Sequence, residues 1–333
     1  PYDSLISKYD IDYDSVKIDE VFSIIDKEII PKYKNIQKIK SPFIYKSDIS
    51  FAKIIKEIKI KLQQLNFDFD RGRIDQSHHP FCGGATNDVR ITTRFEENIL
   101  ESLSALFHET GHGVYEQNRP IQYLYEPLGQ SRSLSVHESQ SLFFENHIFK
   151  SQTYFKIINT IFDNSKDLEK SFLEHYHTVR INPIRVSADE FSYPIHVFIR
   201  YQIEKEIFKN KIKFKDIKDL WNKKYLDHLE IDLISDSEGV LQDIHWYEGI
   251  FGYFPTYALG AMIASQIKYN CPLFDIFLKN PDEENIKQLI IWLNNNIHQK
   301  ASLYSSDEML QSISGEKLNS KYYLEHLVGR FVK

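Results

Sequence analysis

Apolar residues recur at intervals of three and four through most of this chain, and that spacing commits it to helices. Phe51, Ile54, Ile55, Ile58, Leu62 and Leu65 share one helical face. Val21, Phe22, Ile25 and Ile29 do the same ahead of Pro31. The stretch Phe95 to Val114 carries Ile99, Leu100, Leu103, Leu106 and Phe107, and Thr93 followed by Glu96 makes a capping pattern at its start. Helical patterns also fit 135–150, 152–163, 188–209, 216–228, 256–268, 283–298 and 307–313. Alternation is confined to Asn66–Arg71 and Asp88–Thr92, which predict one small sheet edge or hairpin. Residues 117–134, with Pro120, Pro127 and Gly129, read as a loop. Only 12 Gly and 11 Pro occur among 333 residues, which disfavours turn-rich β folds and long linkers. The expected class is mostly α with a small β element near residues 66–92, in a single catalytic domain spanning 1–333.

Composition removes several function classes. Lys and Arg total 41 against 47 Asp and Glu, so the net charge of −6 argues against a nucleic-acid coat or a basic membrane-surface protein. Cys82 and Cys271 are too few for a disulfide framework and fit a reducing compartment. No apolar run reaches 18 residues, so no membrane-spanning helix is expected. The start at Pro1 has neither a basic segment nor an apolar stretch of the secretory kind.

The chemistry concentrates in His108-Glu109-Thr110-Gly111-His112. A helix places His108 and His112, at i and i+4, on one face about a turn apart, where two neutral imidazoles can share a zinc ion. Glu109 then lies where its carboxylate reaches a water rather than the ion. With 13 histidines in 333 residues, chance yields about 0.04 such matches. The bland alternative is an amphipathic helix with two solvated histidines. Gly111 and Gly113 speak against it, since glycine weakens a helix interior by roughly 1 kcal/mol unless something approaches closely there. A catalytic zinc site needs a third protein ligand and an open position. Glu138, in His137-Glu138-Ser139-Gln140, is the candidate, against the reading that it merely caps its helix with Ser135.

Six ordered blocks then carry a family likeness. They are His79-Pro80-Phe81, Asp88-Val89-Arg90-Ile91-Thr92, His108 to His112, His137 to Gln140, Ile184-Arg185-Val186-Ser187-Ala188-Asp189, and Gly239 to Trp246, joined by Gly252-Tyr253-Phe254-Pro255-Thr256-Tyr257. In these the chain resembles the metallocarboxypeptidases of the carboxypeptidase Taq type, peptidase family M32. The resemblance implies a zincin-like helical metallopeptidase fold, Zn²⁺ or Co²⁺ held by His108, His112 and Glu138, peptide substrates with a free C-terminus, and a cytoplasmic homodimer. Members carry a further helical region ahead of the point where Pro1 aligns, which helps wall their cleft.

The resemblance also distributes roles. Glu109 is the general base that later protonates the leaving amine. Arg185 is the first choice for the substrate carboxylate, because a guanidinium makes paired charge-assisted bonds to it. An internal pair with Asp189 is its alternative, and Arg90 the runner-up. His245 and Tyr253 are candidates for stabilising the oxyanion, with Tyr257 as alternate, and His79 for supporting the cleft. Asp189 or Asp88 would orient a ligand histidine. Three other readings stand beside this one: an endopeptidase or aminopeptidase on the same zinc helix, a catalytically weak or split-enzyme metal-binding subunit, and a structural helical protein.

Overall fold

A computed structural model describes residues 1–94 and 98–332, and these form two compact units. The larger comprises Phe43–Phe172 and Ile263–Leu318, the other Pro1–Pro42, Leu173–Met262 and Asn319–Lys333. Both are mostly helical, as the periodicity predicts, and among the described residues no helix is long and apolar enough to cross a membrane.

In the larger unit a three-stranded sheet backs the helix that carries the histidines. Its central strand, Asp88–Thr93, runs parallel to Gly72–Gln76 and antiparallel to Cys82–Ala85. Val89 and Ile91 are fully buried, while Asp88 and Arg90 pair at the surface at 2.7 Å, so the alternation is that of a half-buried strand. Asn66–Arg71 is not a strand, contrary to the pattern. Asn66 adopts φ 68° and closes the helix Phe51–Gln64, with the Phe67 amide bonded back to Leu62. Phe67 and Phe69 alternate because Phe67 is a core residue with Phe69 edge-on to it. Cys82–Ala85 gave no strand signal. Gly84, within the strand at φ 101°, lies opposite Val89, and a Cβ there would sit 2.1 Å from the Asp88 carbonyl oxygen.

The helix Phe51–Gln64 buries Ile54, Ile58 and Leu62, the face read from sequence. The predicted Thr93–Glu96 cap includes Glu96, which lies outside the described residues. The described helix starts at Ile99, and the Asn98 side chain caps it by accepting from the Leu100 amide at 3.2 Å.

In the other unit, Pro31 does not end its helix. Ser15–Ile24 continues through a wider turn, Ile25–Ile29, into Ile30–Asn35, and Pro31 falls in the first turn of the resumed helix, where a missing N–H is tolerated. The helix expected over 188–209 begins at Tyr193. Asp189 accepts from the Phe191 and Ser192 amides at 2.9 and 3.0 Å and so holds 189–192 in a turn. The short helices Tyr2–Ile6 and Lys321–Phe331 and the parallel pair Lys38–Ile39 with Val179–Arg180 were not foreseen.

Candidate metal centre

The helix Ile99–Gln117 places the rings of His108 and His112 edge to face, 4.9 Å between centroids. A second helix, Leu134–Leu142, is capped by Ser133, which accepts from the Val136 amide. Ser135 and Glu138 therefore do not form a capping box, and Glu138 turns toward the histidines. Its Oε2 stands 3.4 Å from His112 Nε2 and 3.8 Å from His108 Nε2, and the three donors lie within 4.8 Å of one another. Donors about 2.1 Å from one tetrahedral ion stand roughly 3.4 Å apart, so this set fits a zinc-sized cation.

The two helices come this close because of Gly111. A Cβ there would meet the Gln140 carbonyl oxygen at 2.5 Å and Ser141 Cα at 2.7 Å. Gly113 faces the other way, against Phe67 and Ile91. Gly111→Ala is expected to push the Glu138 helix away, lowering stability by about 1–3 kcal/mol and weakening metal binding together. A thermal melt with a metal titration checks this, and unchanged values in both would remove the close-approach explanation.

Partners behind the ligands set which nitrogen is bare. Glu145 Oε2 lies 2.8 Å from His108 Nδ1, and a carboxylate only accepts, so in the neutral ring the proton sits on Nδ1 and Nε2 is open. His112 Nδ1 lies 2.6 Å from His137 Nδ1, and His137 Nε2 lies 2.8 Å from Glu116. With His137 neutral, its proton is on the Glu116 side. Its Nδ1 then accepts from His112 Nδ1–H, which leaves His112 Nε2 open too. Arg119 completes the chain at 2.7 Å from Glu116. Asp88 and Asp189, the carboxylates expected behind the ligands, are engaged elsewhere. Asp88 pairs with Arg90, and Asp189 holds Arg180, Phe191 and Ser192. Glu145 carried a signal that went unread. It falls seven residues after Glu138, hence on nearly the same helical face, and the wide turn Phe143–Phe149 carries it.

The charges fit a cation as well. Burial opposes protonation of His108, but Glu138 and Glu145 raise its pKa to about 10, so a cation at Nε2 would replace a proton there. Burial, with His137 alongside, lowers His112 to about 4. Glu109 is buried, and that burial raises its carboxyl to about 7, close to the value that suits a general base at neutral pH. Three carboxylates around His108 leave the site short of positive charge, which a bound cation would supply. Burial and the nearby Glu109 and Glu116 push the Cys82 thiol up, so it is not a competing thiolate ligand.

His79 is exposed. It belongs to a turn in which its carbonyl accepts from Ser77 at 2.5 Å and Thr92 at 3.3 Å. The remaining candidates form one cluster in the other unit. Arg185 is buried and pairs through Nε and Nη2 with Asp243, not with Asp189, at 3.0 and 2.8 Å. Its Nη1 donates to Tyr193 at 2.9 Å, and its guanidinium lies 5.0 Å from the Tyr257 ring centroid. Arg200 holds the other oxygen of Asp243 at 2.6 Å. His245 Nε2 lies 3.2 Å from the Tyr257 hydroxyl, and its ring packs on Tyr253 at 5.5 Å. Burial and then Arg185 lower His245 to about 4, so this imidazole is neutral.

Comparison with known proteins agrees with this geometry. The family model described as carboxypeptidase Taq (M32) metallopeptidase matches residues 1–331. Carboxypeptidase 1 of Bacillus subtilis is 36% identical, covering 99% of this chain and 68% of its own length. Thermostable carboxypeptidase 1 of Pyrococcus furiosus is 30% identical, covering 100% of this chain and 69% of its own length. Among solved structures, metallocarboxypeptidase 1 of Trypanosoma cruzi matches with a TM-score of 0.87 at 33% identity, over 100% of this chain and 72% of its own. The chain belongs to the carboxypeptidase Taq (M32) metallopeptidase family and is a metallocarboxypeptidase.

Proposed function

We propose that this metallocarboxypeptidase uses zinc, with cobalt as substitute, at His108, His112 and Glu138, and takes its reaction proton through Glu109. The carrying observation is the three-donor cluster, with both Nε2 atoms open and a buried carboxyl adjacent. A zinc ion bound there would supply Lewis acidity to the scissile carbonyl and acidity to water.

Glu109 removes the proton of the attacking water and delivers it to the leaving amine. Its elevated pKa suits both directions of transfer. Neutral His245 and Tyr253 serve as donors to the oxyanion of the tetrahedral intermediate. Arg185 has five N–H donors, three of them engaged by Asp243 and Tyr193, and offers the other two to the terminal carboxylate. Tyr257, against that guanidinium, lines the same cluster, and His79 supports the substrate cleft. Residues 1–333 are taken as one catalytic domain, and family likeness extends the proposal to a cytoplasmic homodimer.

The test is release of the C-terminal residue from an N-blocked peptide by metal-quantified protein, with and without a chelator. Expected is about one zinc per chain and chelator-sensitive release, with no cleavage of the same peptide amidated at its C-terminus. Cleavage of the amide at equal rate would mean an endopeptidase. The chain spans 68% of the Bacillus relative's length, which favours one second reading, a metal-binding subunit that needs a further part of the protein. Metal without release would select it, and neither metal nor release would remove the site assignment.

A further inference from the structure

One buried carboxylate takes no part in the chemistry above, yet it ties together the segment that carries part of it. Glu204 lies on the helix Tyr193–Phe208 and is fully buried. Its Oε1 accepts from the Trp246 indole at 2.7 Å. Its Oε2 accepts from the Gly252 amide at 2.9 Å and the Tyr2 hydroxyl at 2.7 Å. Trp246 directly follows His245, and Gly252 directly precedes Tyr253. Residues 245–253 form no helix or strand: turn bonds close 245–250, with the Ile250 amide on the His245 carbonyl at 2.7 Å and the Gly249 amide on that of Trp246 at 3.2 Å, and the Glu204 side chain ties this turn to Gly252 at the far end of the segment.

One turn earlier on the same helix, Arg200 grips Asp243. Arg200 and Glu204 thus hold the chain at residues 243, 246 and 252. Gly252 adds a steric lock: at φ 87°, a Cβ there would lie 2.7 Å from the Ile6 amide nitrogen, so the loop lies directly on the helix Tyr2–Ile6. Trp246 is one of the anchors.

We propose that Glu204 is a positioning residue, which acts through Trp246 and Gly252 to set His245 and Tyr253 for catalysis. The proposal rests on the roles assigned above to those two residues. Two of the three partners, an indole N–H and a backbone N–H, can only donate, so a carboxylate satisfies them and an amide of the same shape does not. Glu204→Gln turns its amino group on one of them whichever way it is placed.

The test compares wild type, Glu204→Gln, Trp246→Phe and His245→Ala by steady-state kinetics on the blocked peptide, zinc content, and hydrogen exchange of 245–254. For Glu204→Gln the expected result is a kcat lower by about 10²-fold with KM little changed, since misplacement by an ångström has that effect. Zinc per chain stays as in wild type, and exchange over 245–254 accelerates while the helix Ile99–Gln117 is unaffected. Trp246→Phe, which removes one anchor and misplaces no polar atom, shifts both readouts the same way by less, and it carries the test if Glu204→Gln does not fold. A lower melting temperature with unchanged kcat and exchange in the folded variant overturns the proposal, as does faster exchange with unchanged kcat. His245→Ala separates the two failures. If it retains full activity, the role of His245 falls and the positioning role falls with it. If it is inactive while Glu204→Gln turns over normally, only the positioning role falls.

Discussion

Glu109→Gln will bind metal as wild type does and turn over about 10²–10⁴-fold more slowly, the range that loss of a general base produces. The expectation separates binding from chemistry because the geometry separates them. The three donors that fit a cation come from His108, His112 and Glu138, and Glu109 is not among them. Gln has nearly the same shape and no charge, so it removes a proton acceptor without opening a cavity. It also relieves burial of a carboxyl whose raised pKa records an unfavourable environment, so the folded protein will not be destabilised. Equilibrium dialysis against zinc and initial rates on a blocked peptide are the two measurements. Turnover within a few-fold of wild type would exclude Glu109 as the proton carrier. Loss of zinc with turnover would instead make it part of the ligand set.

Much of the site could be read from sequence because its spacing is helical. His108 and His112 share a face at any helix start, so the shift from the expected Phe95 to the observed Ile99 changes nothing there. Gly111 and Gly113 called for a close neighbour, and the structure supplies Gln140–Ser141 for one and the Phe67–Ile91 face for the other. What stayed hidden depends on contacts that no local period encodes. Arg185 finds Asp243 across 58 residues of sequence, whereas a helical reading offers only Asp189 at i+4. The strand Cys82–Ala85 contains two glycines and becomes a strand only because Asp88–Thr93 pairs with it. The wide turn Ile25–Ile29 likewise has no local signal, and after it the helix resumes with Pro31 in its first turn.

Glu145 is the most consequential residue the pattern passed over, and its removal should be felt at the metal. Its Oε2 orients His108, and its Oε1 accepts from Ser104 and Lys150, each at 2.7 Å. Burial alone would raise this carboxyl, but Lys150 and His108 hold it well below the usual carboxylate range, so it is ionised. An ionised acceptor on Nδ1 fixes the tautomer and raises the basicity of the ligating nitrogen. Glu145→Gln keeps an oxygen able to face His108 but turns an amino group toward Ser104 and Lys150. Glu145→Ala removes the acceptor and leaves Lys150 buried with Asn146 Oδ1 at 2.8 Å. Zinc affinity should therefore fall in the order wild type, Gln, Ala, reaching about 10–100-fold for a lost partner of a ligand histidine. Competition against a chromophoric chelator reads this directly and does not depend on turnover. Equal affinity in a folded Glu145→Ala variant would show that His108 needs no partner to present Nε2. A loss confined to Ala, with Gln equal to wild type, would show that acceptor geometry suffices and that the charge contributes nothing. The expected graded loss requires both. It would place the electrostatic control of this centre seven residues beyond the glutamate that the sequence identifies as a ligand.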